Sequence, residues 1–564
     1  MSGHPPTRPE NGRTDSRNQY WRFLAIAAGS AFVILAALAA RIETPTIDEF
    51  AHVPAGCLYW TEGRFDLYSK NPPLLKMAMT APLVMAGATV PPLRYNTKDN
   101  WAPWLYGYEF MVANPRDYLA LFSLARFVPI ICGLLTGVIL FRWVREWFDM
   151  RAASLTTTLF YLNPNVLAHS HLATVDAGSM FTILWTLYLL HVAYQRPATW
   201  RIAVAGAGWG VALLTKFTAV ALLPVLLAMI AFHRWRMWKA MVIEGLIVLA
   251  TAALTVNLVM TFHGSFESVG SYQFSSDVAR TAQTFFPAAW KVPFPREWIV
   301  GLDLQTLDAE NGEYDNYLFG EWSQRGWWYY NFVALAVKNP LSFLGLLIVA
   351  PRFWCGTRLG RLVSLEVILP LLIMLVSVAT VDRLNIGVRY LLPAFPLMFL
   401  LSAAVWRGRQ RWQPSLATVV VTLHAVSAVW MYPGYLGYFN IAVGGPSNGY
   451  RVLADSNIDW GQDLYRLPAV LKGLRPSGPI KLLYFGHVEP RLYGIQYELP
   501  SSAPAEGVFA VSTQYLVGGT YIATAPNGRL VEVDGRQVEW LRKIEPIERA
   551  GSLWIFDTRR RVNP

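Results

Sequence analysis

The chain has 564 residues, 54% hydrophobic and 15% charged, and a formal net charge of +11. A soluble globular chain carries about 25% charged residues. That deficit, with apolar runs recurring along the first three quarters, excludes a soluble enzyme and points to a polytopic membrane protein. The runs lack the alternation of barrel strands, so the spans are helices. The basic residues sit in short clusters between the runs, which is the positive-inside pattern and excludes nucleic acid as a partner. Cys57, Cys132 and Cys355 lie far apart and make no disulfide framework or zinc motif.

In chain order, the polar tail 1–22 carries Arg8, Arg13, Arg17 and Arg22 and is expected in the cytoplasm. The first span, about 23–41, has no evident small-residue cleavage site and is expected to stay as an anchor. The segment 42–117 then stays outside. Its apolar stretch LLKMAMTAPLVMAGATV is interrupted by Pro82 and flanked by Pro72, Pro73, Pro91 and Pro92, which predicts short interfacial helices rather than a span. Further spans are expected at about 118–141, 152–168, 172–194, a short hairpin over 201–232, and 240–262. A long outer loop covers 263–330, followed by spans at about 333–351, 362–380, 389–405 and 414–432. The basic stretches RWVREWFDMR, HRWRMWK, the set Arg352, Arg358 and Arg361, and RGRQRW all fall inside in this layout. The expected architecture is an α-helical membrane domain over 23–432 with about eleven spans and an outward C-terminus. The tail 433–564 has the strand-like runs IKLLYFG, GVFAVST and GSLWIFD, and a helical stretch DWGQDLYRLPAVLKGL, which predict a small extracytoplasmic α/β domain.

Four outer segments carry candidate chemistry. DEFAHVPAGCLYWTEGRFDLYSKNPPLLK, residues 48–76, offers Asp48, Glu49, His52 and Lys76. The tip LAHSHLATVD offers His169, His171 and Asp176. YDNYLFGEWSQRGWWYY, residues 314–330, offers Glu321 and Arg325, and DRLNIGVRY offers Arg383 and Arg389. Each has a plainer explanation. An acid pair just after a span decorates the interface, and the tryptophans and tyrosines form interface belts. Asp176 at a span mouth caps a helix, and Lys76, Lys216 and Arg389 snorkel. His169 and His171, two apart, do not share a helical face. No phosphate loop, dinucleotide fingerprint or nucleophile elbow is evident.

One chemistry needs acids and bases gathered on one face of a bilayer. A lipid-linked sugar phosphate lives at that boundary, and its leaving group is already stable as an anion. Transfer from it needs one carboxylate to take the acceptor proton and fixed cations to hold the phosphate. Asp48 suits the first task. Lys76, Lys216 and Arg389 suit the second. His52, Asp176 and Glu321 are supporting candidates.

At this point the first loop resembles that of the protein O-mannosyltransferases and their bacterial relatives, with its Asp-Glu pair, its Gly/Tyr segment and its Pro-Pro-Leu corner followed by lysine. The wider group is the GT-C class of membrane glycosyltransferases, which use polyprenyl-phosphate sugars. HLATVDAGSMF, LLTKFTAVALL and NIGVRYLLPAFP extend the resemblance over the spans, and YFNIAVGGPSNGYRVLADSNIDWGQDL resembles a segment of bacterial members. The resemblance implies a GT-C fold and inverting transfer at the outer face of the cytoplasmic membrane. It makes Asp48 the base, with Glu49 a supporting or metal-related carboxylate and Lys76 near the site. Asn71 stands where the mannosyltransferases commonly have histidine, and 263–330 is too short for their β-trefoil insert. Both departures weigh against a mannose donor and a protein acceptor. Some relatives modify lipid and use a divalent metal, so protein, lipid and glycan acceptors and a metal requirement stay open. Two other classes compete: a transporter or flippase of lipid-linked sugars, and a non-catalytic scaffold with a binding tail. A transporter is expected to show repeats and broken midplane helices, and no repeat is visible.

Overall fold

The computed structural model describes residues 11–312, 315–354, 360, 363–380, 384–408, 410–501 and 504–559. Arg8, Tyr314, Cys355, Arg358, Arg361, Arg383 and Arg409 lie outside the described residues, and of Arg13 and Arg17 only the backbone is described. Among the described residues, seven helices are long and apolar enough to cross a membrane: Asn18–Ile42, Tyr118–Trp147, Asp176–Gln195, Phe217–Arg234, Trp238–Val259, Val388–Trp406 and Gln413–Trp430. Each coincides with an expected span.

The other four expected spans are shorter or bent. The span at 152–168 is divided into Met150–Tyr161 and Pro164–Ser170. Asn163 makes the division, because its side chain accepts the N–H groups of Asn165 and Val166 and so starts a new helix with Pro164 at its first position. The first arm of the 201–232 hairpin, Thr199–Leu213, has 15 residues. At 1.5 Å per residue that is about 22 Å, short of a hydrocarbon core of about 30 Å. Ser364–Thr380 is also a shorter apolar helix. The expected span at 333–351 is the pair Tyr330–Lys338 and Leu341–Trp354, bent by 115° at Asn339–Pro340.

The first long helix, α1 (Asn11–Ile42), leads into α2 (Ile47–Glu62), α3 (Pro73–Met85) and α4 (Ala102–Ala113). These were expected to lie on the membrane interface. Instead, α2 is buried almost end to end, from Glu49 through Tyr59, between α3 and α4. A Cβ at Gly56 would come within 2.5 Å of the Lys76 carbonyl, so this glycine is what lets α2 and α3 cross so closely.

After a two-stranded hairpin, β1 (Asn316–Leu318) with β2 (Glu321–Ser323), the C-terminal unit builds a five-stranded sheet. Its strands are β3 (Ile480–Leu483), β4 (Tyr497–Glu498), β5 (Val508–Ser512), β8 (Glu548–Ala550) and β9 (Leu553–Asp557), ordered β4-β3-β5-β9-β8. β6 (Thr520–Thr524) and β7 (Leu530–Asp534) form a separate hairpin. The three runs read as strands from sequence are β3, β5 and β9, the sheet's centre. Side chains alternate faces along a strand. One face (Ile480, Leu482, Val508, Ala510, Leu553, Ile555) packs on Leu464 and Leu467. The other (Leu483, Phe509, Val511, Trp554, Phe556) belongs to the same hydrophobic core as the helical bundle. The sheet is therefore docked on the bundle by half of its own apolar surface.

Candidate active site

A cavity of about 730 Å3 opens where α2, the helix ends and the C-terminal unit meet. Asp48, His52, Asp176, Lys216 and Arg389 all line it, although they come from four separate stretches of sequence. Two ion pairs dominate its wall. Arg389 donates to Asp48 at 2.5 Å, and Lys216 donates to Asp176 at 2.6 Å. Both pairs keep some exposure to the cavity, 11% for Arg389 and 18% for Asp48 in the first. Tyr390 stands between the cations, its ring 5.0 Å from the Lys216 ammonium and 5.5 Å from the Arg389 guanidinium.

The local sequence explains this convergence. Arg389 sits on a tight turn, Val388–Ala394, anchored from the C-terminal unit. The Val388 N–H donates to Asn457 at 3.0 Å, the Ser456 hydroxyl donates to the Ile386 carbonyl, and the Trp460 ring lies 4.4 Å under the guanidinium. Asp176 opens its helix, and its carboxylate accepts from Lys216 and from the Thr174 hydroxyl. The expected capping bond is not what its side chain makes. An acid in the first turn still complements the helix dipole.

Glu49, the neighbour of Asp48, does not line the cavity. It is fully buried and accepts five hydrogen bonds: two from Arg126 at 2.6 Å, one from the Ala173 N–H at 2.6 Å, and two from the N–H and hydroxyl of Thr46. Burial pushes its carboxyl pKa up, but the Arg126 charge and these donors outweigh that and hold it below the ordinary value. Arg126 also donates to the carbonyls of Ala40, Glu43 and Thr44. The pair therefore ties the α1–α2 corner to the turn that carries Asp176, which is a positioning task. Arg126 was not singled out in the sequence, yet a lone arginine within LALFSLARFVPIICG is a signal, since ionisable groups inside a span need a purpose.

Lys76 is also away from the cavity. Its ammonium is fully buried and donates to the Tyr59 hydroxyl at 2.8 Å and to the carbonyls of Tyr68 and Asn71 at 2.6 and 2.8 Å. Burial pulls its pKa well below the usual lysine value. It ties the loop 68–71 to α2 and α3, and its neighbours Ser69, Lys70 and Asn71 form cavity wall in its place. Glu321 is exposed beside the β1–β2 turn and does not line the cavity.

His52 lines the cavity with both ring nitrogens buried and lacking a hydrogen-bond partner, its ring 5.2 Å from that of Tyr68. Burial, only partly opposed by Asp48, pulls its pKa down to about 4, so the ring is neutral. Five further wall residues, Asp455, Trp460, Phe485, His487 and Tyr521, come from the C-terminal unit and were not expected. Their signal was the dense polar run LADSNIDWGQDL. Among the described residues, no group of three His, Cys, Asp or Glu side chains is placed to hold a metal ion. Asp48 and Asp176 are each committed to a cation, so the cavity's donor set does not fit a divalent metal.

The fold and cavity define a polytopic helical membrane protein whose acid–base groups gather at one end of the bundle, under an α/β unit. Residues 121–260 match the family described as dolichyl-phosphate-mannose-protein mannosyltransferase, and this stretch relates the chain to that family. Asp176 and Lys216 fall within it. No curated protein matches the chain. Among solved structures the chain is similar to ArnT from Cupriavidus metallidurans bound to undecaprenyl phosphate, at 14% identity over 95% of this chain and 97% of that one, with a TM-score of 0.46. It is also similar to the archaeal oligosaccharyltransferase AglB from Archaeoglobus fulgidus in complex with an inhibitory peptide and a dolichol-phosphate. There the identity is 12% over 92% of this chain and 75% of that one, with a TM-score of 0.46.

Proposed function

We propose that this protein is an inverting glycosyltransferase of the GT-C class. It moves a sugar from a polyprenyl-phosphate donor to a hydroxyl of an acceptor at the outer face of the cytoplasmic membrane. The observation that carries this reading is the convergence of Asp48, Arg389, Asp176 and Lys216 on one cavity at the end of the bundle. The family match over residues 121–260, which contains Asp176 and Lys216, supports it.

The chemistry follows from the charges. The acceptor oxygen attacks the anomeric carbon as the bond from that carbon to the phosphate oxygen breaks. The electron pair leaves with the polyprenyl phosphate. The acceptor proton passes to the Asp48 carboxylate. Arg389 and Lys216 are the cations within the cavity and stabilise charge on the departing phosphate. Arg389 is shared: it holds Asp48, and it can grip a phosphate with two donors. A phosphate that draws Arg389 away leaves Asp48 with its charge uncompensated, which makes it a stronger base when the donor is in place. Asp176 orients Lys216, and the knot of Glu49 with Arg126 fixes both acids relative to each other.

The test is transfer by the purified protein in detergent, with radiolabelled polyprenyl-phosphate sugars and membrane extract as acceptor. Wild type transfers label, and a folded Asp48→Asn variant loses it. Equal transfer by both removes Asp48 from the role of base. Donor binding with no turnover by wild type favours a lipid-linked sugar transporter instead.

A further inference from the structure

The wall opposite the helical bundle belongs to the C-terminal unit, and the mechanism above gives it no work. Asp455 stands on that wall with a backbone φ of +54°, a left-handed conformation that costs most side chains of order 1 kcal/mol and that Asp and Asn tolerate best. The conformation is held from several sides. The Asp455 N–H donates to the Gln514 side-chain oxygen at 2.7 Å, the Gln514 amide donates back to the carboxylate at 3.1 Å, and the Ser456 N–H donates to its other oxygen at 2.6 Å. Gln514 is fully buried and also donates to the Tyr521 hydroxyl, so one amide aligns two cavity-lining groups. Each carboxylate oxygen keeps a lone pair beyond these bonds. Burial, reinforced by the charge of Asp48, pushes the Asp455 pKa up to about 6.

Two further observations point to a ligand. His52 and His487 line the same cavity at 1% and 6% exposure, and both nitrogens of His52 and Nδ1 of His487 are buried without a partner. Buried polar atoms in native proteins are normally satisfied. Beside them the wall offers the rings of Trp460, Phe485 and Tyr521. The combination is an acceptor-only carboxylate, neutral imidazoles and flat apolar faces. It complements a molecule that has several hydroxyl donors around its edge and C–H faces above and below.

We propose that the acceptor is a saccharide, and that Asp455 binds it by accepting hydrogen bonds from sugar hydroxyls next to the one that is glycosylated. This rests on the glycosyltransferase reading and adds the class of acceptor and the residue that holds it. A serine or threonine side chain presents one hydroxyl and no ring, and uses little of this wall.

The experiment is saturation-transfer NMR on the full-length protein in detergent, with the methyl α-glycosides of glucose, galactose and mannose, and with a Ser/Thr-containing hexapeptide. Wild type transfers saturation to at least one glycoside and not to the peptide. Asp455→Asn, which keeps the left-handed backbone and the oxygen bonded by Ser456, binds that glycoside about tenfold more weakly, as expected for loss of hydrogen bonds to a charged group. Tyr521→Phe, which keeps the ring, is a second folded variant and weakens binding less. Absence of any glycoside signal in wild type overturns the proposal. So does an undiminished signal in Asp455→Asn, or a peptide signal that this variant loses. The method needs no donor, so its failure is separate from failure of the transfer reading, which shows as transfer undiminished in Asp48→Asn.

Discussion

Asp48 and Glu49 are adjacent on one helix, yet they live in different chemical worlds. Successive helical residues point about 100° apart. One carboxylate therefore faces the cavity with a single cation, and the other faces the protein interior with five donors. The first region keeps its charge accessible and exchangeable. The second locks its charge away and uses it as a structural rivet. A pair of acids in a motif is thus not a pair of catalysts; one prepares the ground on which the other acts.

The comparison can be broken in four places. The largest effect is on turnover. Asp48→Asn is expected to lower transfer by about 10²–10⁴-fold, the usual contribution of a general base, while the protein still elutes as a folded species on size exclusion. Next comes stability. Glu49→Ala leaves Arg126 buried and unpaired and should destabilise the fold by about 3–5 kcal/mol. Thermal unfolding in detergent reads this, and Glu49→Leu with Arg126→Met, which removes both charges, should recover much of the loss. Equal destabilisation by the double variant argues against the rivet. Third, Lys76→Met should lower the unfolding temperature and leave donor affinity unchanged, whereas Arg389→Lys should raise the donor KM by about tenfold, because lysine lacks the planar fork that grips phosphate.

The smallest effect is in pH, and its sign differs between two buried acids. The folded-state pKa of Glu49 is depressed, so its stabilisation is present above its ordinary value and is lost only as pH falls through the lower folded value. Asp459, buried in the C-terminal unit with one oxygen unpartnered, has its pKa pushed up by burial to about 7. Its contribution is fully present below the ordinary aspartate range and is lost as pH rises through about 7. Asp459→Asn is therefore expected to raise the unfolding temperature at pH 8 and to gain little at pH 4. A gain that is the same at both pH values contradicts this assignment.

Much of the site was legible in the sequence. Asp48, His52, Asp176, Lys216 and Arg389 could be gathered because charge in a membrane sequence is costly and its placement informative. Sequence could not say which charges look inward. Lys76 looked like a free cation, yet the Asn-Pro-Pro corner folds back so that the Tyr68 and Asn71 carbonyls enclose it. Glu49 looked catalytic because nothing local marks Arg126 as its partner. The seven long spans were legible from hydropathy, and the four short or bent ones were not, because Asn163 and Pro340 break apolar runs that a window average passes over. The wall built by Asp455, Trp460, His487 and Tyr521 was least legible. Its register on the bundle is fixed by long-range bonds, such as those from Ile47 to Trp460 and from Thr44 to Gln462, that leave no local pattern.

The two-faced sheet of the C-terminal unit has a practical corollary for anyone who cuts this protein into parts. Severed near residue 433 and produced alone, the tail would present Leu483, Phe509, Val511, Trp554 and Phe556 to water and aggregate through them. The remaining membrane part would lose the floor beneath Arg389 and one whole side of its cavity. Chimaeras between relatives will exchange specificity cleanly only when tail and bundle travel together.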